Sequence, residues 1–298
     1  MLGNSLAVLF ALCAAVFAAI GIVVRQRATM DVPQEKGVST VMLRTLLRRR
    51  VWWIGTASAV AGYAFQALAL GFGSLLLVQP VLVSALLFAL PLSARLAHRR
   101  VSRAEWSWAL LLTAALAVFV VLARASTGSY SVPVTTTVVV TLVCGIVVGV
   151  CVLVATRSTN WRRAVLLAVA VGVMFGVVAV LTKIVMHMVA EGSMLTVFTT
   201  PALYLVVVLG VVATLLQQSA FHAGSLQTSV PTMLVLEPVV AVVLGSVVLG
   251  EHVSITGLEP VALVLAIGAM AAATVALGRD EGAYEEKLEA AVAGRAGK

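Results

Sequence analysis

Windows of about twenty apolar residues, almost free of charge, recur along this chain. That is the length an α-helix needs to cross a ~30 Å hydrocarbon core at 1.5 Å per residue. They fall at about residues 4–24, 51–71, 74–94, 106–123, 132–155, 163–189, 195–216, 229–249 and 257–277. In lipid no water satisfies a backbone N–H or C=O, so such windows must close their hydrogen bonds within themselves as helices. The ten-residue alternation of a transmembrane β-barrel is absent. Hydrophobic residues make up 61% of the 298 positions and charged residues only 11%, whereas a soluble domain is about one quarter charged. The expected fold is an all-α polytopic membrane protein with about nine transmembrane helices.

Charge sets the expected orientation. Of the twenty Lys and Arg, seven lie in segment 25–50, four in 95–103, three in 157–163 and four in the tail, against only Arg124 in the alternate loops. The positive-inside rule therefore places the N-terminus outside and the C-terminus in the cytoplasm of a multi-pass protein of the inner or plasma membrane. Trp52, Trp53, Trp106, Trp108 and Trp161 all fall at the same predicted interface, where amphipathic rings sit well. The net charge of +8 is thus a matter of topology and lipid contact, and nucleic acid is not an expected partner. Cys13, Cys144 and Cys151 lie within apolar windows as packing residues. No metal-ligand spacing, cofactor motif or Walker A sequence occurs, and no nucleophile, base and orienting group converge, so neither an enzyme nor an ATP-driven motor is expected.

The chain also repeats itself. QALALGFGSLLLVQP at 66–80 and QQSAFHAGSLQTSVP at 217–231 share Q-x6-G-S-L-x4-P without a gap. Gln66 matches Gln217, Gly73 matches Gly224 and Pro80 matches Pro231; one residue of slip later, RRVS at 99–102 faces EHVS at 251–254. The copies begin five helices apart and so cross the bilayer in opposite senses. The second has lost both arginines, as an equivalent loop on the other face should. Inverted repeats of this kind build secondary transporters. The expected divisions are a first repeat at 1–128 with four spans, a second at 129–278 with five, and a polar, mobile cytoplasmic tail at 279–298, whose acidic run suits a short surface helix.

The stretch GSLLLVQP at 73–80, LEP at 236–238 and LGE at 249–251 resemble the drug/metabolite transporter superfamily of the EamA type. VWWIG at 51–55 carries a more distant likeness to NIPA-type magnesium transporters. The resemblance implies a carrier for a small molecule. Members usually have ten helices in two five-helix halves, and this chain departs from that where its charged segment 25–50 lies.

Glu237 is the acid nearest the bilayer midplane, where an ionised carboxylate costs ~2.5–3.5 kcal/mol on insertion scales. On the functional reading it faces a cavity between the halves and couples solute movement to a proton or cation, with Pro238 freeing a backbone carbonyl nearby. The plain alternative is a protonated side chain bonded to a neighbouring helix. Gln66, Gln79, Gln217 and Gln218 can orient polar parts of a substrate or simply join helices. Lys183 is expected to reach outward to headgroups, with ion or substrate binding as the alternative. Pro80, Pro231, Pro238, Gly73 and Gly224 are candidate hinges, and Gly145-x3-Gly149 and Gly172-x3-Gly176 are expected to pack helices closely. The function expected is secondary transport, typically efflux, of a small organic solute by alternating access. A Mg²⁺ carrier and a non-transporting membrane scaffold are the alternatives, and a homodimer is compatible with each.

Overall fold

The computed structural model describes residues 2–30, 48–96, 100–122, 124–126, 134–158, 160–192, 194–223, 226–254 and 259–296. In order the elements are α1 (Leu2–Met30), α2 (Arg50–Phe72), α3 (Leu75–Leu82), α4 (Ala85–Leu96), α5 (Arg103–Leu122), β1 (Arg124–Ser126), α6 (Val134–Thr156), α7 (Asn160–Ala190), α8 (Met194–Thr199), α9 (Pro201–Ala223), α10 (Leu226–Leu249), β2 (His252–Ser254) and α11 (Glu259–Ala296). The chain is helical apart from the β1–β2 ladder among these residues. Seven described helical stretches are long and apolar enough to cross a membrane, and Pro201–Gln217 and Val235–Leu249 are shorter apolar stretches. Large aliphatic side chains face outward in rows, as on α6 with Leu142, Ile146, Val150 and Leu153. Such rows suit lipid and not water, and the architecture is that of a polytopic membrane protein.

Small residues let these helices meet at backbone distance. A Cβ on Gly21 of α1 would lie 2.9 Å from the Ala59 nitrogen of α2. On α7, a Cβ at Gly172 would lie 2.9 Å from the Leu236 Cβ, and one at Gly176 would lie 2.6 Å from the Val240 Cγ1, so this Gly-x3-Gly pair is filled by α10. The other pair behaves differently: among the described residues a Cβ at Gly145 or Gly149 meets nothing within 4 Å. Close packing was expected at both pairs and is found at one.

Three elements depart from expectation; the window at 195–216, expected as one helix, divides at Thr200 into α8 and α9. The window at 74–94 was expected as one helix, but it breaks at Val83–Ser84, where Val83 N–H donates to the Pro80 carbonyl at 3.2 Å and Ser84 N–H to the Val81 carbonyl at 3.0 Å. These i→i−3 bonds tighten the chain into a turn just after Pro80, whose missing N–H has already thinned the helical ladder. At the other end of the chain, helix α11 continues through the tail to Ala296, because AYEEKLEAAVAGRA is rich in strong helix formers and nothing in it stops the helix.

The ladder fixes which loops share an end of the bundle. Arg124 pairs with Ser254, Ala125 with Val253 and Ser126 with His252 in antiparallel register, so 252–254 lies beside the C-terminal end of α5. Residues 100–102 immediately precede the N-terminal end of the same helix. At 1.5 Å for each of its 20 residues, the two segments stand about 30 Å apart at opposite ends. A capping box closes that N-terminal end: Glu105 N–H donates to Ser102 Oγ at 3.1 Å, and Ser102 N–H to Glu105 Oε2 at 2.6 Å.

Candidate functional site between α3, α7 and α10

Helix α2 stops at Phe72 and α3 starts at Leu75, with Ser74 as N-cap accepting from the Leu77 N–H. This corner presents the carbonyl end of one helix and the amide end of the next, one favouring a cation and the other an anion. Both are taken. Lys183 of α7 donates from Nζ to the Leu70 and Gly73 carbonyls, each at 2.6 Å. Glu251, just past α10, accepts the Leu76 N–H on Oε2 at 3.3 Å and interacts electrostatically with Lys183. Lys183 is 3% exposed and Glu251 2%. Gly250, at φ +67°, takes the chain off α10 in a left-handed turn that suits glycine. A bond from the Glu251 N–H to the Gly245 carbonyl at 3.1 Å then returns the acid toward the corner.

Below the corner, α3 packs on both α1 and α10, but past the break α4 packs on α1. The packing of α3 on α10 at the ladder end is therefore not continued by α4 past the break along this seam. A Cβ at Gly245 of α10 would lie 3.2 Å from the Leu75 Cβ of α3, which sets the level at which the walls touch. Glu237 is eight residues back along α10, and eight residues on from Leu75 along α3 is Val83, at the break. Both steps span about 12 Å, so Glu237 sits at about the depth of the Val83–Ser84 break. Around the α10 axis, Glu237 lies between Leu236 and Val240, which meet α7, and Gly245, which meets α3. It is partly exposed, although Ala241, Leu244 and Val248 on the same line are buried. The opposite wall carries unspent polarity: buried Gln79 Nε2 and Ser84 Oγ find no hydrogen-bond partner among the described residues.

No family model and no solved structure matches the chain. It is 38% identical over 279 residues to the uncharacterized protein Cgl0250/cg0304 of Corynebacterium glutamicum, a match that covers 94% of this chain and 96% of that protein. The chain belongs to that protein's family. With coverage this complete, the match takes in both ends of the seam and not one half of the bundle.

Of the residues singled out in the sequence, the structure brings Lys183 and Gly73 into contact, sets Gln79 and Pro80 on the α3 wall and sets Glu237 and Pro238 on the α10 wall. Gln66 on α2 is half-buried, and Gln217 points Nε2 at the Met233 sulfur, 4.0 Å away. Neither reaches this group. The side chains of Gln218 and Pro231, and Gly224 altogether, lie outside the described residues. Lys183 was expected to reach headgroups; it turns inward instead, because two helix-end carbonyls lie within hydrogen-bond reach and the Glu251 carboxylate supplies an opposite charge. Sequence reasoning missed Glu251 as a site residue. The available signal was Lys183 itself: a cation inside an apolar helix needs a counter-charge at its own depth, and LGE ends a helix at the same expected face.

Proposed function

We propose that this chain is a secondary transporter of a small organic solute, working by alternating access and built as the drug/metabolite transporter superfamily is. One observation carries the reading: α3 packs on α10 at the ladder end, α4 past the break packs on α1, and the acid Glu237 lies on α10 at about the level of that break. Such a carboxyl, at membrane depth and opposite unpartnered Gln79 and Ser84, is the equipment of a solute path. Helix boundaries add support. At a displacement of 151 residues, α2 and α9 coincide from end to end and α3 and α10 begin together. With α6 as a linking helix, four spans lie on each side of it. A single span inserted between two even-numbered units turns the second upside down, in keeping with 100–102 and 252–254 lying at opposite ends of α5.

In this mechanism the solute enters from the end opposite the ladder, its polar groups meet Gln79 and Ser84, and Glu237 exchanges a proton as the halves rock. The test is uptake into proteoliposomes under a pH gradient, with a panel of organic solutes and Mg²⁺. The wild-type chain is expected to move one class of organic solute with the gradient, and Glu237→Gln, equally well folded, to lose the gradient dependence. Undiminished, still proton-dependent flux in Glu237→Gln would remove Glu237 from coupling. A wild-type chain that moves no solute points to the scaffold reading, and flux of Mg²⁺ alone to the cation carrier.

A further inference from the structure

We propose that Lys183 and Glu251 form a gate: a charged clamp through which the second half of the chain grips the Gly73–Ser74 corner of the first and holds the seam shut at the ladder end. The inference rests on the transport reading above. Its geometry is that of a contact between halves. Lys183 and Glu251 both come from the C-terminal half, and their side chains hold backbone groups of the N-terminal half, the Leu70 and Gly73 carbonyls and the Leu76 N–H. Both charges are buried at the end of the α3–α10 contact where Gly245 meets Leu75.

The partners also make the clamp reversible in kind. Helix-end carbonyls and amides can exchange a side chain for water when the corner swings away. One acceptor, Glu251 Oε1, is buried with no hydrogen-bond partner among the described residues, so the closed arrangement leaves a polar atom that opening would hydrate. A buried interaction that is satisfied on one oxygen only suits a contact that must break in each cycle better than one meant to last. Leu244 lies beneath the gate, 7% exposed, five residues before the end of α10 and so about 7 Å deeper than the corner.

The test reads opening directly. In a chain with Cys13, Cys144 and Cys151 replaced by alanine, Leu244→Cys is probed in vesicles with a membrane-impermeant maleimide applied to each face in turn. With the clamp intact, the thiol is expected to be protected from the ladder face. In Lys183→Met and in Glu251→Gln, which keeps an acceptor for the Leu76 N–H, labelling from that face should rise by about tenfold or more. The double variant Lys183→Met with Glu251→Gln leaves no uncompensated ion and serves if a single variant fails to fold. Labelling within about twofold of the parent in the folded variants overturns the gate. Solute flux in the same vesicles keeps the two readings apart. Unchanged labelling with active flux defeats the gate alone, whereas raised labelling in a chain that moves no solute keeps the clamp as a latch and defeats the carrier reading.

Discussion

Two Gly-x3-Gly pairs that look alike in sequence have opposite surroundings, and alanine at each isolates what close packing contributes. In Gly176→Ala the new methyl group would lie 2.6 Å from the Val240 Cγ1, 2.8 Å from its Cβ and 3.1 Å from the Ala241 nitrogen. Carbon atoms settle at about 3.5–4.0 Å, so α7 and α10 must part by about 1 Å. A gap of that size forfeits about a quarter to a half of each dispersion contact along the Val171, Met233 and Ala241 interface. Overpacking of this kind costs ~1–3 kcal/mol. In Gly145→Ala the methyl group meets nothing within 4 Å among the described residues. Both substitutions gain the same helix propensity, ~0.8–1 kcal/mol, which cancels between them. The difference expected in stability is therefore the steric term alone, ~1–3 kcal/mol, with Gly176→Ala the less stable. Thermal unfolding in detergent, followed by circular dichroism on both variants side by side, measures it. Equal shifts, or a lower melting point for Gly145→Ala, would refute the packing of α7 on α10 described above.

The caps give two further outcomes. Ser102→Ala removes the acceptor of the Glu105 N–H, and loss of such a cap costs ~0.5–2 kcal/mol. Faster amide hydrogen exchange confined to the first turn of α5 is expected, and unchanged exchange there would contradict the capping box. Gly250→Ala forces a side chain into φ +67°, a strain of about 1–2 kcal/mol. A lower melting point and weaker protection of position 244 should appear together, since the same turn delivers Glu251 to the corner.

What the sequence made legible follows from what lipid enforces. A run of twenty apolar residues has one stable answer in a bilayer, so windows such as 106–123 and 163–189 resolve into helices with little further information. The break at Val83–Ser84 was harder to see. It sits inside LLLVQPVLVSALLFAL, where hydropathy is high throughout and Pro80 was the main mark. Burial of polar side chains was harder still: Gln66 and Gln79 look equivalent as helical amides, and only the approach of α1 and α10 to α3 makes Gln79 the buried one. Glu251 was hidden for another reason. It lies beyond the apolar run beside His252 and reads as a loop residue, until the Gly250 turn carries it back over the end of its own helix.

The most direct measurement asks whether the two halves are upside down relative to one another. Single cysteines introduced by Arg100→Cys and by Ser254→Cys in the cysteine-free chain are labelled in intact cells with a membrane-impermeant reagent, before and after permeabilization. Position 254 is expected to label at once and position 100 only after permeabilization. Labelling of both positions from the same face would contradict the inverted arrangement.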